Sequence, residues 1–259
     1  MSLPVFIYNL DTAFDTPSLD IAQVGASISL NGAEGRHAVS VKRIAVGEHI
    51  ELVDGHGTRA ELEVVALNGK DTLHGHIVAV RHEPRPQLKV TVVQALPKSD
   101  RSELAIDLLT QAGVDHVIPW QADRCVAKWT GAKRDKGIAK WQAMAASATK
   151  QSRRAWLPTI DQLHDTAQIA ARLGEYDHAI VLHETATSAL TSIDLSLATS
   201  VVIIIGPEGG ITEAETENFR QAGANLVKLG PEVLRTATAG MVALAAIGAT
   251  TNRWAAEPC

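Results

Sequence analysis

The sequence has 259 residues, of which 46% are hydrophobic and 4% are aromatic. This length is enough for one large domain or two domains of ordinary size, and the composition excludes a disordered chain. The longest weakly polar run, Ala239–Ala249, is too short to cross a bilayer, and Met1–Pro4 lacks the basic flank and apolar core of a signal peptide. We therefore expect a cytoplasmic protein.

The net charge of −5 is distributed unevenly along the chain. Taken alone, it argues against a nucleic-acid partner, because domains that bind phosphates normally carry a basic excess. The stretch from Arg124 to Arg154, however, contains nine basic residues and one acid, a charge of +8 that leaves −13 for the rest of the chain. Its basic members are Arg124, Lys128, Lys133, Arg134, Lys136, Lys140, Lys150, Arg153 and Arg154. A solvated helical face is one interpretation, and a surface for a polyanion is the favoured one.

Short strands are predicted in the first part of the chain, where β-branched residues alternate with polar ones between Asn-Gly and Asp-Gly breaks. They cover Val5–Tyr8, Ser27–Leu30, His49–Val53, Arg59–Val65 and Thr72–Val80, with a short helix at His37–Ile44. This pattern predicts a small β-barrel. Two prolines in Arg81–Pro86 indicate a linker. We thus predict domains at 1–80 and 89–259, joined by a linker at 81–88.

The second domain is predicted to be α/β, because apolar strands alternate with helices and such strands are typical of a covered parallel sheet. The strands are Lys89–Ala95, Val114–Trp120, His178–His183, Val201–Ile205 and Asn225–Leu229. The helices are Ser102–Ala112, Lys136–Gln151, Asp165–Leu173, Glu213–Ala222 and Thr238–Asn252. Ligands bind such sheets beyond the carboxyl ends of the strands.

Gly-Pro-Glu follows two of these strands, at Gly206–Glu208 and Gly230–Glu232. The glycines allow a ligand to approach the main chain closely, and Thr212 with Glu215 forms the capping box of the next helix. Neither loop has a phosphate-binding fingerprint, which argues against a nucleoside triphosphate or a dinucleotide as ligand. Two structural turns, or a site for a compact and largely uncharged ligand, remain open. The cysteines and histidines show no metal-binding spacing, so no metal is predicted.

The two loops, Ile205–Gly210 and Leu229–Thr236, resemble those of the ribosomal RNA small subunit methyltransferase E family, which belongs to the SPOUT class. Other residues follow the family order in the second domain: Gln94–Lys98, Arg101, Glu103, Gly113–Asp115, Pro119, Arg124, Gln151, Ser152, Arg154 and Pro158. In the first domain His37, Val41, Arg43, Gly47, Asp54 and Gly55 resemble the family's PUA-like barrel signature. The resemblance implies a PUA-like β-barrel followed by a Rossmann-like parallel-sheet domain with a trefoil knot.

The resemblance also implies a reaction, the transfer of a methyl group from S-adenosylmethionine to N3 of one uridine in 16S ribosomal RNA. Removal of the N3 proton leaves negative charge on the uracil oxygens, and we expect Arg154 to stabilise that charge, with a plain phosphate contact as the alternative. Cofactor binding is carried over to Leu182, His183, Gly206, Glu208, Gly209, Gly210, Leu229, Gly230, Leu234, Arg235, Thr236 and Thr238. Glu208 is alternatively a turn cap, and His183 a surface residue without a role.

RNA or the small ribosomal subunit is the expected partner. We assign RNA contacts to Arg36, His37, Arg43, Lys98, Arg101, Arg124, Lys128, Lys150 and Arg153. The resemblance also implies a homodimer, because SPOUT enzymes share this assembly, with a pocket near the interface. Three residues depart from the family pattern: Ala237 replaces a usual Glu, Lys150 an acid and Arg153 a Gly. The alternatives are a SPOUT enzyme that methylates the ribose 2′-oxygen and a non-catalytic factor of ribosome assembly.

Overall fold

The computed structural model describes residues 3–8, 19–98 and 101–254. They fall into two compact units. The first unit extends to Arg85 and also includes Thr149–Leu157, whereas the second comprises Pro86–Ala148 and the chain from Pro158 onward. The boundary after Arg85 lies within the predicted linker, whereas residues 149–157, which were predicted to belong to the second domain, group with the first unit by their contacts. The main chain of Ala155 and Leu157 hydrogen-bonds to Gly57 and Gly55 of the first unit.

The first unit contains a five-stranded sheet in the order β1-β3-β4-β5-β2. Only β1 and β3 pair in parallel, and the other pairs are antiparallel. The strands are β1 (Val5–Ile7), β2 (Ser27–Leu30), β3 (His49–Val53), β4 (Thr58–Asn68) and β5 (Thr72–His82). Their buried apolar side chains, among them Phe6, Ile50 and Leu62, form the core of the first unit. The five predicted strands are confirmed, although β5 extends two residues into the predicted linker. Among the described residues β1 and β2 are the two edge strands of the sheet and do not pair with each other, so closure into a barrel stays a prediction.

A helical segment lies between β2 and β3. The predicted helix at His37–Ile44 begins earlier, with α1 (Gly32–Arg36), and continues as a π-helical turn over His37–Val41. Asn31 is the N-cap residue of α1 and Gly32 is its first residue, so this Asn-Gly pair begins a helix and is not a simple break between strands. The α1 segment contains Glu34, whose carboxylate accepts a hydrogen bond from the main-chain amide of Ile7 in β1 at 3.0 Å.

The second unit contains a six-stranded sheet in the order β11-β9-β10-β6-β7-β8, with every pair parallel. The strands are β6 (Lys89–Ala95), β7 (His116–Trp120), β8 (Thr159–Ile160), β9 (His178–Leu182), β10 (Ser200–Ile205) and β11 (Asn225–Val227). The central strands are almost entirely buried, as their continuous apolar runs predicted. The two-residue β8 was not predicted.

Helices of the second unit are α2 (Ser102–Gln111), α3 (Ala132–Gln151), α4 (Thr166–Arg172), α5 (Glu213–Gln221) and α6 (Thr236–Thr250). Of these, α3 continues into the segment assigned to the first unit. Helix α6 packs closely on α2, since a Cβ added at Gly240 would lie 2.4 Å from the Leu109 side chain of α2. No helix in the described part of the chain is long and apolar enough to cross a membrane.

The topology brings three carboxyl ends together. After β10 the chain passes β9 to form β11, so that β10, β9 and β11 are adjacent. Their following loops therefore lie at one edge of the sheet, where parallel sheets bind ligands. Both Gly-Pro-Glu loops begin there.

Candidate active site

The first Gly-Pro-Glu loop runs from Gly206 to Thr212, between β10 and α5. It folds back on itself, since the amide of Gly210 donates to the carbonyl oxygen of Pro207 at 2.9 Å, and Gly210 has a φ of +76°. A Cβ at Gly206 would lie 2.6 Å from Cγ1 of Ile211. Gly206 and Gly210 are therefore required by the shape of the loop, the first by lack of space and the second by its left-handed backbone.

The second loop follows β11 and leads into α6 at Thr236. Arg235 is the N-cap residue of α6, and its carbonyl oxygen accepts a hydrogen bond from the Thr238 hydroxyl at 3.1 Å. Val233 and Leu234 are exposed. The loop is fixed from below by Gln94 of β6, whose side-chain amide is buried and donates to the carbonyl oxygen of Thr236 at 3.4 Å.

The two loops and the end of β9 enclose a cavity of about 750 Å³. Eleven of the twelve residues predicted to bind the cofactor line it: Leu182, His183, Gly206, Glu208, Gly209, Gly210, Leu229, Gly230, Leu234, Arg235 and Thr236. Thr238 does not line the cavity, because its hydroxyl is bonded within the first turn of α6. The volume lies within the range of small-molecule sites, about 300–1,000 Å³.

The cavity also contains residues that the sequence did not indicate. Glu184 follows the end of β9, Lys228 follows β11, and Glu232 belongs to the second loop. Apolar side chains complete the lining, at Ile205, Pro207, Ile211, Pro231, Val233 and Ala239. The strand ends could have identified most of them, because any residue next to a carboxyl end shares that edge of the sheet.

Two residues that were predicted to contact RNA also hydrogen-bond to the first loop. Arg124 lines the cavity, and its Nη1 donates to the carbonyl oxygen of Gly209 at 3.2 Å. The main-chain amide of Lys98 donates to Glu208 at 3.2 Å, while the Lys98 side chain is exposed. The Glu208 carboxylate thus joins the loop after β6 to the loop after β10, while the residue also lines the cavity.

Glu215 links the first loop to the segment that contains Arg124. The side chain is 2% exposed and accepts four hydrogen bonds. One carboxylate oxygen accepts from the amide and the hydroxyl of Thr212, both at 2.9 Å, and the bond from the amide is half of the predicted capping box. The other accepts from the amide of Asp123 at 2.9 Å and the hydroxyl of Thr166 at 3.1 Å. The sequence predicted the first pair but not the second, which joins distant segments.

Arg154, the predicted catalytic residue, belongs to the first unit and is not among the residues that line the cavity. It follows the end of α3, where the chain forms a Schellman motif. The amide of Arg153 donates to the carbonyl oxygen of Lys150 at 3.2 Å, and the amide of Arg154 donates to that of Thr149 at 3.0 Å. Arg153 has a φ of +55°, at the position where such motifs usually have glycine.

Lys150 was predicted to contact RNA, but the structure shows it in an ion pair with Glu34 at 2.5 Å. The two side chains are only 16% and 12% exposed, so the Lys150 ammonium faces protein rather than solvent. His37 lies nearby and is half-buried. Burial, together with the smaller effect of the Lys150 cation, lowers the pKa of His37, which favours its neutral ring.

The remaining predicted RNA contacts are on the surface of the units. Arg36, Arg43, Lys128 and Arg153 are exposed, whereas Arg101 is half-buried at the N-cap of α2. The exposed side of α3 adds four cations, namely Lys133, Arg134, Lys136 and Lys140. Among the described residues no group of three or more His, Cys, Asp or Glu side chains could hold a metal ion.

Known families match both parts of the chain. An RNA methyltransferase domain family matches residues 83–248, and an RNA methyltransferase PUA domain family matches residues 30–78. Ribosomal RNA small subunit methyltransferase E of Mycobacterium bovis is 44% identical over 97% of this chain and 94% of its own length. The protein of the same name from Bacillus subtilis is 34% identical over 87% of this chain and 91% of its own length.

Solved structures are similar as well. A methyltransferase from Legionella pneumophila, in complex with the bound cofactor S-adenosylmethionine, has a TM-score of 0.85 at 25% identity and covers 97% of this chain and 99% of its own. Ribosomal RNA small subunit methyltransferase E from Neisseria gonorrhoeae, bound to S-adenosylmethionine, has a TM-score of 0.83 at 25% identity. It covers 96% of this chain and 98% of its own.

Proposed function

The chain belongs to the ribosomal RNA small subunit methyltransferase E family, and on that premise we propose that it methylates N3 of one uridine in 16S ribosomal RNA with S-adenosylmethionine as methyl donor. The observation that carries the proposal is the cavity formed by both Gly-Pro-Glu loops at the carboxyl edge of the parallel sheet. Two structural relatives of this chain contain S-adenosylmethionine.

The composition of the cavity is compatible with this cofactor. Three cations and three carboxylates line it, so that it has no net charge: Arg124, Lys228, Arg235, Glu184, Glu208 and Glu232. A triphosphate would require a cationic excess, whereas a methyl donor with one carboxylate, one ammonium and one sulfonium group requires both signs. Apolar residues such as Leu182 and Ile205 suit its adenine ring.

The chemistry requires little from the protein beyond alignment and charge stabilisation. S-adenosylmethionine supplies a methyl group that is already activated on a sulfonium. The two loops bind and orient the donor with main-chain groups and with the space left by Gly206 and Gly210. Arg154 stabilises the negative charge that develops on the uracil oxygens when N3 loses its proton.

The RNA is held by exposed cations, which neutralise phosphates. The exposed side of α3 and Lys128 supply five of them in the second unit, and Arg36, Arg43 and Arg153 are exposed in the first unit. Lys150 is left out because its charge is neutralised by Glu34. The target uridine must be single-stranded or flipped out of a helix, because N3 is otherwise engaged in base pairing.

The proposal includes the assembly and topology that the family resemblance implies: a homodimer, a PUA-like barrel and a trefoil-knotted methyltransferase domain. The exposed apolar residues Met241 and Val242 on α6, and Val233 in the second loop, support a self-association surface next to the cavity. A ribosomal RNA substrate also places the protein in the cytoplasm.

The test combines binding with product mapping. Calorimetry should detect S-adenosylmethionine binding, and mass spectrometry of small-subunit RNA from a deletion strain should show loss of one N3-methyluridine that the purified protein restores. Absence of cofactor binding would favour a non-catalytic assembly factor. A restored 2′-O-methyl group instead would identify a ribose methyltransferase.

A further inference from the structure

Arg59 is a buried arginine near the start of β4. Its side chain is 10% exposed, and each end of the guanidinium has a partner. Nη1 donates to the Glu51 carboxylate at 2.9 Å, and Nε donates to the Glu83 carboxylate. Nη2 donates to the main-chain carbonyl oxygen of Arg153 at 2.5 Å. Two carboxylates thus hold the guanidinium in one orientation, and its remaining donors reach a peptide 94 positions away in the sequence.

The peptide that Arg59 contacts is the one that joins Arg153 to Arg154. Its oxygen is held by Arg59, and its N–H, which belongs to Arg154, donates to the carbonyl oxygen of Thr149 at 3.0 Å. Both ends of this peptide are therefore fixed, although Arg153 has the left-handed φ of +55° that side chains other than glycine rarely adopt.

The chain on the other side of Arg154 is also attached to the first unit. The carbonyl oxygen of Ala155 accepts from the amide of Gly57 at 3.1 Å, and the amide of Leu157 donates to Gly55 at 3.0 Å. Between them, the Trp156 ring packs so closely on Gly57 that an added Cβ there would lie 2.5 Å from it. Arg154 therefore stands between two anchored stretches of main chain.

We propose that Arg59 is a positioning residue for methyl transfer, which fixes the peptide before Arg154 and so directs the Arg154 guanidinium toward the uracil. The inference rests on the role of Arg154 in the proposed function. A lysine cannot replace Arg59, because a single ammonium lacks the planar fork that reaches Glu51, Glu83 and the Arg153 carbonyl oxygen at once. Arg59 thus acts on the reaction only through Arg154, which belongs to the same unit.

The first experiment measures turnover of the Arg59→Lys variant at saturating S-adenosylmethionine and RNA. We expect kcat to fall about 10- to 100-fold, as for a small misplacement of a catalytic group. The KM for RNA and the Kd for S-adenosylmethionine should change by less than about twofold, because neither phosphate contacts nor the cavity involve Arg59. Arg81→Lys is the matched control, since Arg81 pairs with Arg59 across the sheet but is exposed. Its kcat should equal that of the wild type.

The second experiment asks whether Arg59 acts through Arg154. In an Arg154→Lys background, which has already lost the oriented guanidinium, Arg59→Lys should lower kcat by less than about twofold further. Full additivity of the two effects would overturn the proposal, as would an Arg59→Lys variant with wild-type kcat. A fall in kcat that is accompanied by an equal loss of cofactor affinity would also overturn it, since that outcome indicates a general structural role.

Two further measurements keep the test decisive. If Arg59→Lys does not fold, Glu51→Gln removes the negative charge of one partner of Arg59 while it retains the side-chain shape, and it should lower kcat in the same direction with unchanged cofactor affinity. A wild-type kcat for folded Glu51→Gln would then count against the proposal. Failure of the proposed function would be seen separately, as a wild-type protein that methylates no uridine N3.

Discussion

The cavity in the second unit and the segment Thr149–Leu157 in the first unit are held in shape by different means. The cavity depends on glycines, because Gly206 leaves space beside the Ile211 side chain and Gly210 permits a tight turn. The segment depends on side chains that are present and buried, namely Lys150 on Glu34 and Arg59 on the Arg153 carbonyl oxygen.

This difference corresponds to what each region must do. A pocket for a small cofactor needs main-chain groups that a ligand can approach, and glycine provides them. A segment that presents one long side chain needs its main chain immobilised, because a free arginine has about 2 kcal/mol of rotamer entropy to lose when it is ordered. Substitutions in the cavity should therefore change the affinity for S-adenosylmethionine, whereas a substitution of the side chain that the segment presents should change kcat.

The largest expected effect is on turnover. Arg154→Ala should lower kcat about 100- to 1,000-fold, as does the loss of one donor to a developing oxyanion elsewhere. Cofactor affinity by calorimetry should stay the same, because Arg154 does not line the cavity. Arg220→Ala, an exposed arginine on α5, is the control. Unchanged turnover would remove Arg154 from the mechanism.

The converse should hold in the cavity. Gly206→Ala adds a Cβ that would lie 2.6 Å from the Ile211 side chain. Since overpacking costs about 1–3 kcal/mol, we expect a comparable loss of S-adenosylmethionine binding free energy by calorimetry. Gly174→Ala, where an added Cβ meets nothing within 4 Å, should bind like the wild type. Equal affinity of all three proteins would show that the first loop does not shape the cofactor site.

Glu215 tests how the cavity is supported. Glu215→Gln places an amide nitrogen against groups that donate hydrogen bonds, which should lower the free energy of unfolding in urea by about 1–3 kcal/mol. Glu217→Gln, on the exposed side of the same helix, should change it by less than about 0.5 kcal/mol. If both variants were equally stable, the four hydrogen bonds of Glu215 would be of no consequence for the fold.

Lys150 distinguishes a structural cation from one that binds RNA. Among the described residues, Lys150→Met leaves the Glu34 carboxylate with the Ile7 amide as its donor. It should cost about 1–2 kcal/mol of stability, less than a fully buried pair because some solvent remains. The slope of RNA affinity against salt concentration should not change. Lys128→Met, an exposed lysine, should instead reduce that slope by about one without loss of stability. A reduced slope for Lys150→Met would restore it to the RNA surface.

The smallest expected effect concerns the left-handed residue before Arg154. Arg153→Gly should relieve the strain of its φ of +55° and raise the free energy of unfolding by up to about 1 kcal/mol. Ala143→Gly, on the exposed side of α3, should lower it by about 1 kcal/mol. Equal signs for the two variants would contradict a strained Arg153.

Local patterns were sufficient for most of the fold. Strands such as Val201–Ile205 are continuous apolar runs, the Thr212–Glu215 capping box marks the start of α5, and both Gly-Pro-Glu loops follow strand ends. The rule that parallel sheets bind ligands at this edge then located the cavity. The family resemblance, and not the pattern, attached a cofactor to it.

What could not be predicted depends on contacts between residues distant in sequence. Nothing near Lys150 indicates that its partner is Glu34, 116 positions earlier. The same holds for the second oxygen of Glu215, which reaches Asp123 across 92 positions. A positive charge in a basic run was therefore assigned to RNA, although in the fold it is neutralised by a carboxylate.

The membership of Thr149–Leu157 in the first unit has a consequence for synthesis on the ribosome. A nascent chain that has emerged only to Arg85 contains all five strands of the first sheet, but Arg59 has no carbonyl oxygen from Arg153 and Glu34 has no ammonium from Lys150. The amino-terminal unit can complete its bonding only after β6, β7 and α3 have been made. Its maturation is therefore delayed until more than half of the chain has been translated.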